Sequence, residues 1–164
     1  FFFKQKTAYE ILTCDWSSDV CSSDLAALHE GVFLFKPSLR ELGELVGHDL
    51  PDASSWVAAC HALIDQKKAQ VIALSLGEQG AIVISKDQGW RAEALDVDVQ
   101  TTIGAGDSFV GGMVWALHKD HDLLHAFQYG MAASAAALLE KGTPLCQASD
   151  VHRLLPRVVV HALP

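Results

Sequence analysis

The sequence has few cysteines, no long apolar run and no excess of positive charge. Its four cysteines are too sparse for a disulfide framework and lack C-x-x-C spacing, which favours the cytoplasm as the location. No apolar run approaches the roughly 18 residues that a membrane-spanning helix needs, so we expect no membrane partner. Lys and Arg number 12 against 20 Asp and Glu, and the net charge of −8 argues against a nucleic-acid partner. What remains is a composition typical of one small globular domain, with 50% hydrophobic residues in a chain of 164.

Residues 1–25 differ from the rest of the chain. They contain clusters of Ser, Asp and Cys with neither helical nor strand periodicity. The apolar start lacks the apolar core of about 7–15 residues that a signal peptide needs. The string resembles translated sequencing-adapter sequence, and a natural disordered tail is the alternative. We therefore expect a leader at 1–25 and a domain at 26–164, in which residues 31–35 form an exposed edge strand.

The most informative stretch is TTIGAGDSFVGG at residues 101–112. A short β-type run at 95–99 precedes it, and apolar residues at helical spacing follow it. A strand, a Gly-X-Gly turn and a helix in this order predict an anion site, because the first N–H groups of a helix have no intrahelical partner. Gly104 and Gly106 allow the backbone to approach a ligand closely.

Asp107 lies where this turn becomes helix, and two interpretations are open. It can be an N-cap, a position that Asp fills well. It can also be a carboxylate that faces a substrate hydroxyl beside a bound phosphate, as phosphoryl transfer requires. Gly111 and Gly112 follow in the second turn of the helix, and each costs the helix about 1 kcal/mol relative to Ala. Their presence indicates that another backbone approaches this helix closely.

These residues resemble the C-terminal signature of the ribokinase-like (PfkB-type) carbohydrate kinases. Further matching segments occur in the same order, namely KPSLREL (36–42), SLGEQGA (75–81) and the stretch from Tyr129 through KGTPLC (141–146). The resemblance is closest to minor-type ATP-dependent 6-phosphofructokinases. It implies an α/β protein, the C-terminal half of a three-layer α/β/α fold with a mostly parallel sheet. It also implies transfer of phosphate from ATP to a sugar phosphate, with fructose 6-phosphate as the first candidate, by an enzyme that is a homodimer when full length.

The resemblance also assigns roles to individual residues. It makes Asp107 the catalytic base, with Gly104, Ala105 and Gly106 as the anion hole. It places Lys36 at the nucleotide phosphates. The other implied nucleotide contacts are Ser38, Ser75, Gly77, Gly80, Met131 and Ala135.

Two cation sites are implied in the same way. Glu41 would organise Mg²⁺ through water, although Ser38 and Glu41 also fit a capping box that needs no ligand. Ser38 is a departure, since close relatives carry Asn there. A monovalent cation, with potassium as the candidate, would be held by backbone groups at Thr101, Ile103, Ala137, Glu140 and Gly142.

Two alternatives to the first candidate stay open. The fold can serve a different acceptor, such as tagatose 6-phosphate, fructose 1-phosphate, an unphosphorylated sugar or a nucleoside. The chain can also be a non-catalytic nucleotide-binding module, although an intact Asp107 argues against that. In the family the N-terminal half supplies the sugar site, and residues 1–25 do not resemble it. We therefore expect this chain alone to be inactive.

Overall fold

The computed structural model of the protein describes residues 11–13, 28–139 and 146–163, which fall into two units. The first unit comprises the described residues up to Ser75 together with Val83–Gly89, and the second comprises Leu76–Ile82 and the described residues from Trp90 onward. Both units contain strands and helices, so the α/β class predicted from the sequence is confirmed. Among the described helices, none has the length and apolar character needed to cross a membrane.

The first unit is built on parallel strands. Its elements are β1 (Ile11–Thr13), β2 (Val32–Lys36), α1 (Leu39–Val46), α2 (Ala53–Asp65) and β3 (Ala69–Ser75), together with the end of β4 (Ala81–Ser85). β2 pairs in parallel with β1 and with β3, and Leu34 lies opposite Val71. Both Leu34 and Ile72 are fully buried, as expected of strands whose two faces are covered.

The pairing of β1 with β2 corrects one expectation. Residues 31–35 do not form an exposed edge, because Ile11, Leu12 and Thr13 lie beside β2 in register with Leu34, Phe35 and Lys36. β1 lies within the stretch that the sequence predicts to be a leader. The leader boundary at residue 25 stays a prediction.

The ends of α1 follow from its sequence. The Ser38 side chain accepts a hydrogen bond from Glu41 N at 3.3 Å, and Glu41 Oε2 accepts one from Ser38 N at 2.6 Å. This reciprocal pair is the predicted capping box, which satisfies two N–H groups at the start of the helix. At the other end Gly47 adopts the left-handed conformation, with φ 76°, and its N–H donates to Gly43 O. Both ends of α1 are therefore explained by residues of its own sequence.

One face of α2 is buried in the core. Trp56, Ala59, Leu63 and Ile64 are buried, and the Trp56 indole donates to Leu50 O at 2.9 Å. Cys60 lies on the same face with no exposed surface. Burial raises the pKa of its thiol to about 12, so Cys60 is an unreactive core residue at neutral pH.

The second unit is mainly helical. Its elements are a 3₁₀ turn (Gly77–Gln79), β5 (Gly89–Ala92), α3 (Ala105–His118), α4 (Leu123–Leu138), α5 (Ala148–Leu154), a second 3₁₀ turn (Leu155–Arg157) and β6 (Val160–Ala162). β5 and β6 pair antiparallel, with Arg91 opposite His161. The strands of the chain are therefore mixed in direction, and not all parallel.

The strand predicted at residues 95–99 is wrong. The segment is irregular, and Val99 is 53% exposed. The backbone N–H groups of Gln100 and Thr101, at the end of this segment, donate to Leu138 O at the end of α4, with N–O distances of 2.8 and 3.4 Å. The β-type run at residues 95–99 therefore belongs to an irregular connection that is hydrogen-bonded at its end to α4.

α3 and α4 are in close backbone contact. A Cβ atom at Gly112 would lie 2.8 Å from Tyr129 O and 2.9 Å from Ala133 Cβ. A Cβ atom at Gly130 would lie 2.9 Å from Phe109 O. Gly112 therefore confirms the close approach predicted from the paired glycines. Gly111 does not take part in it, because a Cβ atom there would meet nothing within 4 Å.

We expect Asp122→Ala to lower the free energy of unfolding by about 1 kcal/mol, because Asp122 is the N-cap of α4. Its side chain accepts a hydrogen bond from His125 N at 2.8 Å. Asp122→Asn is the matched control, since Asn retains a capping oxygen. Urea unfolding at pH 7 measures both variants, and an Asp122→Ala protein as stable as wild type would contradict the capping role.

The two variants should also differ in pH dependence. The His125 backbone hydrogen bond is the main cause that lowers the pKa of Asp122 below its ordinary value of 3.8, and the nearby His125 and His121 side chains add to it. A lowered pKa in the folded state stabilises the fold above the unfolded pKa and loses that effect as the pH falls through the folded value. Wild type should therefore lose stability relative to Asp122→Asn only below about pH 4.

Candidate active site

The turn at Gly104 presents the N-terminus of α3. Gly104 is the N-cap, with φ 79° and ψ −3°, a left-handed conformation that Gly adopts without strain. No side chain caps this end of the helix. The N–H groups of Ala105, Gly106 and Asp107 therefore begin a 14-residue helix without intrahelical acceptors. Such an end attracts an anion through both its free donors and the helix dipole.

Asp107 is the third residue of α3, so its interpretation as an N-cap is wrong. Its side chain is exposed and has no hydrogen-bond or ion-pair partner among the described residues. The positive end of the helix dipole favours a carboxylate in this first turn. What the geometry provides is a free carboxylate next to an anion-binding helix end, the combination that the functional interpretation of Asp107 requires.

The predicted monovalent-cation residues are partly brought together. Thr101 N donates to Leu138 O, which places the chain at Thr101 beside the residue that follows Ala137. Ile103 N donates to the Thr101 hydroxyl at 3.1 Å, which folds this segment into a tight turn. Glu140 and Gly142 lie outside the described residues. The cation role of all five residues stays a prediction.

The predicted nucleotide contacts of the second unit are glycines and core residues. Gly80 has φ 89°, and a Cβ atom there would lie 2.0 Å from Ala92 O, so packing alone requires glycine. Gly77, with φ 60°, has open space around it. Met131 and Ala135 lie one turn apart on α4 and are 6% and 4% exposed. Their position beside an adenine stays a prediction.

Lys36 is the notable residue of the first unit. It ends β2, and only 8% of it is exposed, yet the described residues provide no hydrogen-bond or ion-pair partner for its ammonium group. Its ammonium nitrogen is not among the fully buried, unpartnered polar atoms of the described residues, so the covered side chain still brings the charge to the surface. An ammonium without a protein partner in this position fits a phosphate, which supplies a negative charge.

Ser38, Glu41 and Ser75 lie close together in the first unit. Ser38 and Ser75 form an isolated parallel bridge, and Ser75 N donates to Pro37 O at 3.0 Å. The half-buried Glu41 uses one carboxylate oxygen in the capping box, and the other can accept from water. In the part of the chain that the structure describes, no three His, Cys, Asp or Glu side chains are grouped to hold a metal ion. The Mg²⁺ role of Glu41 stays a prediction.

Ser108 is a residue that sequence reasoning missed. It is 4% exposed, and its hydroxyl oxygen is buried without a hydrogen-bond partner. Its position four residues before Gly112 was the available signal, because residues four apart share one face of a helix. The glycine on that face packs against α4, so Ser108 had to be buried as well.

Known proteins similar to this chain are carbohydrate kinases. The model of the pfkB family carbohydrate kinases matches residues 2–150. The ATP-dependent 6-phosphofructokinase isozyme 2 of Mycobacterium tuberculosis is 37% identical over 135 residues, which are 82% of this chain and 40% of that protein. The 1-phosphofructokinase of Escherichia coli is 33% identical over 134 residues, which are 82% of this chain and 43% of that protein.

The fold is also shared with a solved structure. Phosphofructokinase-2 from Escherichia coli, crystallised in complex with potassium, superposes with a TM-score of 0.77 and 34% identity, covering 80% of this chain and 43% of that chain. This likeness confirms the fold that the sequence resemblance implied. The chain spans less than half the length of each of these proteins.

Proposed function

The chain belongs to the pfkB family of carbohydrate kinases, and from this we propose that its protein transfers the γ-phosphoryl group of ATP to a hydroxyl of fructose 6-phosphate. The observation that carries the proposal is the start of α3. There Gly104 opens an uncapped helix end, and the exposed Asp107 has no partner among the described residues. Phosphoryl transfer needs these two elements, donors for phosphate oxygens and a carboxylate for the attacking hydroxyl.

The chain's own groups would divide the reaction between them. The N–H groups of Gly104, Ala105 and Gly106 would donate to oxygens of the transferring phosphoryl group and stabilise the charge that develops there. Asp107 would hold the acceptor hydroxyl and take its proton. A weak base suffices, because the transition state of phosphoryl transfer is loose. In such a transition state the attacking hydroxyl oxygen has formed little of its bond to phosphorus, so its proton is not yet strongly acidic.

For the first unit, taken by itself, we propose phosphate and cation binding. Lys36 would donate to a phosphate oxygen, and what supports this role is that its ammonium group has no hydrogen-bond or ion-pair partner among the described residues. Glu41, and Ser38 in the place of an amide, would orient water on Mg²⁺. When bound, Mg²⁺ neutralises charge on the phosphates.

We expect Lys36→Met to weaken ATP binding by about tenfold or more, since a charge-assisted hydrogen bond is worth roughly 1.5–3 kcal/mol. Without nucleotide the same variant should be about as stable as wild type, because the Lys36 ammonium has no partner to lose among the described residues and Met supplies an apolar chain of similar length. Isothermal titration with ATP and urea unfolding measure the two effects. Lys68→Met is the control, as the second lysine immediately before β3. Unchanged ATP affinity in Lys36→Met would remove Lys36 from the site.

Fructose 1-phosphate is the second candidate acceptor, because 6-phosphofructokinases and 1-phosphofructokinases are both among the similar proteins. Steady-state ADP release by a full-length enzyme that contains this chain tests the choice, with fructose 6-phosphate and fructose 1-phosphate supplied separately. A higher kcat/KM for fructose 6-phosphate supports the proposal. A preference for fructose 1-phosphate selects the second candidate. If neither sugar supports ADP release, both candidates are contradicted.

We extend the proposal to a monovalent cation near Thr101. The hydrogen bond from Thr101 N to Leu138 O supports it, because backbone carbonyls can coordinate K⁺ where two chain segments meet. The neighbouring Gly104 turn would then be ordered by the same ion. Replacing KCl by tetramethylammonium chloride at constant ionic strength in the acceptor assay tests this extension, and equal rates would contradict it.

A further inference from the structure

The hydroxyl of Ser108 is the one fully buried side-chain oxygen or nitrogen of the described residues that lacks a hydrogen-bond partner. Such a group is unfavourable in a folded protein, and alanine would also suit a helix better than serine. Packing does not require the oxygen either, since an apolar residue can fill the same space. The position of Ser108, directly after Asp107 on α3, therefore suggests a hydrogen bond that serves the site.

Helix geometry restricts what this hydroxyl can reach. A serine inside a helix bonds to the carbonyl three or four residues earlier, here Ala105 O or Gly104 O. Gly104 O already accepts from Ser108 N at 2.9 Å. A carbonyl oxygen has two lone pairs, so Gly104 O can accept a second hydrogen bond from the Ser108 hydroxyl.

The Gly104 carbonyl is directly connected to the anion-binding donors. Gly104 C=O and Ala105 N–H belong to one planar peptide unit. A donor on the carbonyl polarises that unit and strengthens its N–H as a donor. Ala105 N–H is the first amide of α3 and has no intrahelical acceptor. Ser108 can therefore act on an anion that it never touches.

We propose that Ser108 is a positioning residue, whose hydroxyl donates to Gly104 O when a phosphate group binds at Ala105 N–H. The bond holds the Gly104–Ala105 peptide in the orientation that points its N–H at the phosphate. Gly104 can adjust for this, because it is a glycine with nothing within 4 Å of its Cβ position. The inference deepens the proposed kinase function and rests on it.

The test uses this chain and ATP, with Ser108→Ala and Ser108→Cys as variants that lack the hydroxyl and Ser108→Thr as the variant that keeps it. A threonine hydroxyl makes the same bond to the carbonyl four residues earlier. We expect the Kd for ATP from isothermal titration to rise about fivefold in the Ala and Cys variants, the worth of one hydrogen bond, and to stay at the wild-type value in the Thr variant. Without ATP, urea unfolding should find the Ala variant at least as stable as wild type, because it loses an unsatisfied hydroxyl.

Other results overturn the inference in distinguishable ways. Wild-type ATP affinity in the Ala and Cys variants would show that the hydroxyl is not used. A Thr variant as weak as the Ala variant, or an Ala variant that unfolds more easily without ATP, would show a structural role in the helix contact. A wild-type chain that does not bind ATP would contradict the nucleotide-binding part of the proposed function, and the inference with it. If the Ala variant does not fold, the Cys variant of similar volume decides the matter.

Discussion

We expect Asp107→Asn to lower the turnover of a full-length enzyme that contains this chain by at least about 100-fold, while ATP still binds. The amide of Asn cannot take a proton from the acceptor hydroxyl, but it retains the size and polarity of the carboxylate. ATP binding persists because the donors at the start of α3 are backbone N–H groups, which the substitution leaves in place. Steady-state kinetics gives kcat and isothermal titration gives the Kd for ATP.

Asp120→Asn is the matched control for Asp107→Asn. Asp120 is exposed, and its φ of 60° is a conformation that Asn tolerates well. The chemical change is the same, and Asp120 has no proposed role, so this variant should keep wild-type kcat. More than a few per cent of wild-type kcat in Asp107→Asn would remove Asp107 as the catalytic base.

Gly112→Ala is expected to lower the free energy of unfolding by about 1–3 kcal/mol. The new methyl group would lie 2.8 Å from Tyr129 O and 2.9 Å from Ala133 Cβ, closer than such atoms can approach. A backbone oxygen cannot rotate away as a side chain can, so α3 and α4 must shift apart. Urea unfolding of this chain, followed by far-UV circular dichroism, measures the loss.

Gly111→Ala is the control, because it makes the same change one residue earlier in α3. A methyl group at Gly111 meets nothing within 4 Å, so it should stabilise the helix by up to about 1 kcal/mol through helix propensity alone. The two variants are therefore expected to differ in sign. Equal stabilisation by both substitutions would show that α3 and α4 do not approach each other at Gly112.

Local features of the fold were predictable from the sequence because they depend on residues three or four apart. The capping box of Ser38 and Glu41, the glycine at the end of α1 and the buried face of α2 all follow from such spacings. The family resemblance identified Asp107 as the candidate base. The two glycines of α3 predicted a close helix contact, but only the rotation of α3 against α4 could show that Gly112 makes it and Gly111 does not.

Features that depend on distant residues were not predictable. Alternating Asp and Val at residues 95–99 fit a strand equally well whether or not a neighbouring strand exists, and in the structure the following residues bond to a helix end. The short strand β1 owes its place to pairing with residues more than twenty positions away. The burial of Ser108 could be inferred from its spacing to Gly112, but its lack of a hydrogen-bond partner could not, since that is a property of its surroundings and not of its residue type.

The contact between α3 and α4 has a consequence for the order in which the chain folds. The two helices are neighbours in the sequence, joined by residues 119–122, so they can meet without closing a long loop. β2 and β3 are parallel and must wait for the chain between them to cross over, a slower and entropically more demanding step. We expect the helical hairpin that carries Asp107 to gain hydrogen-exchange protection earlier during refolding than the β2–β3 pair. The Asp107 carboxylate would then be placed on its helix while the parallel strands are still assembling.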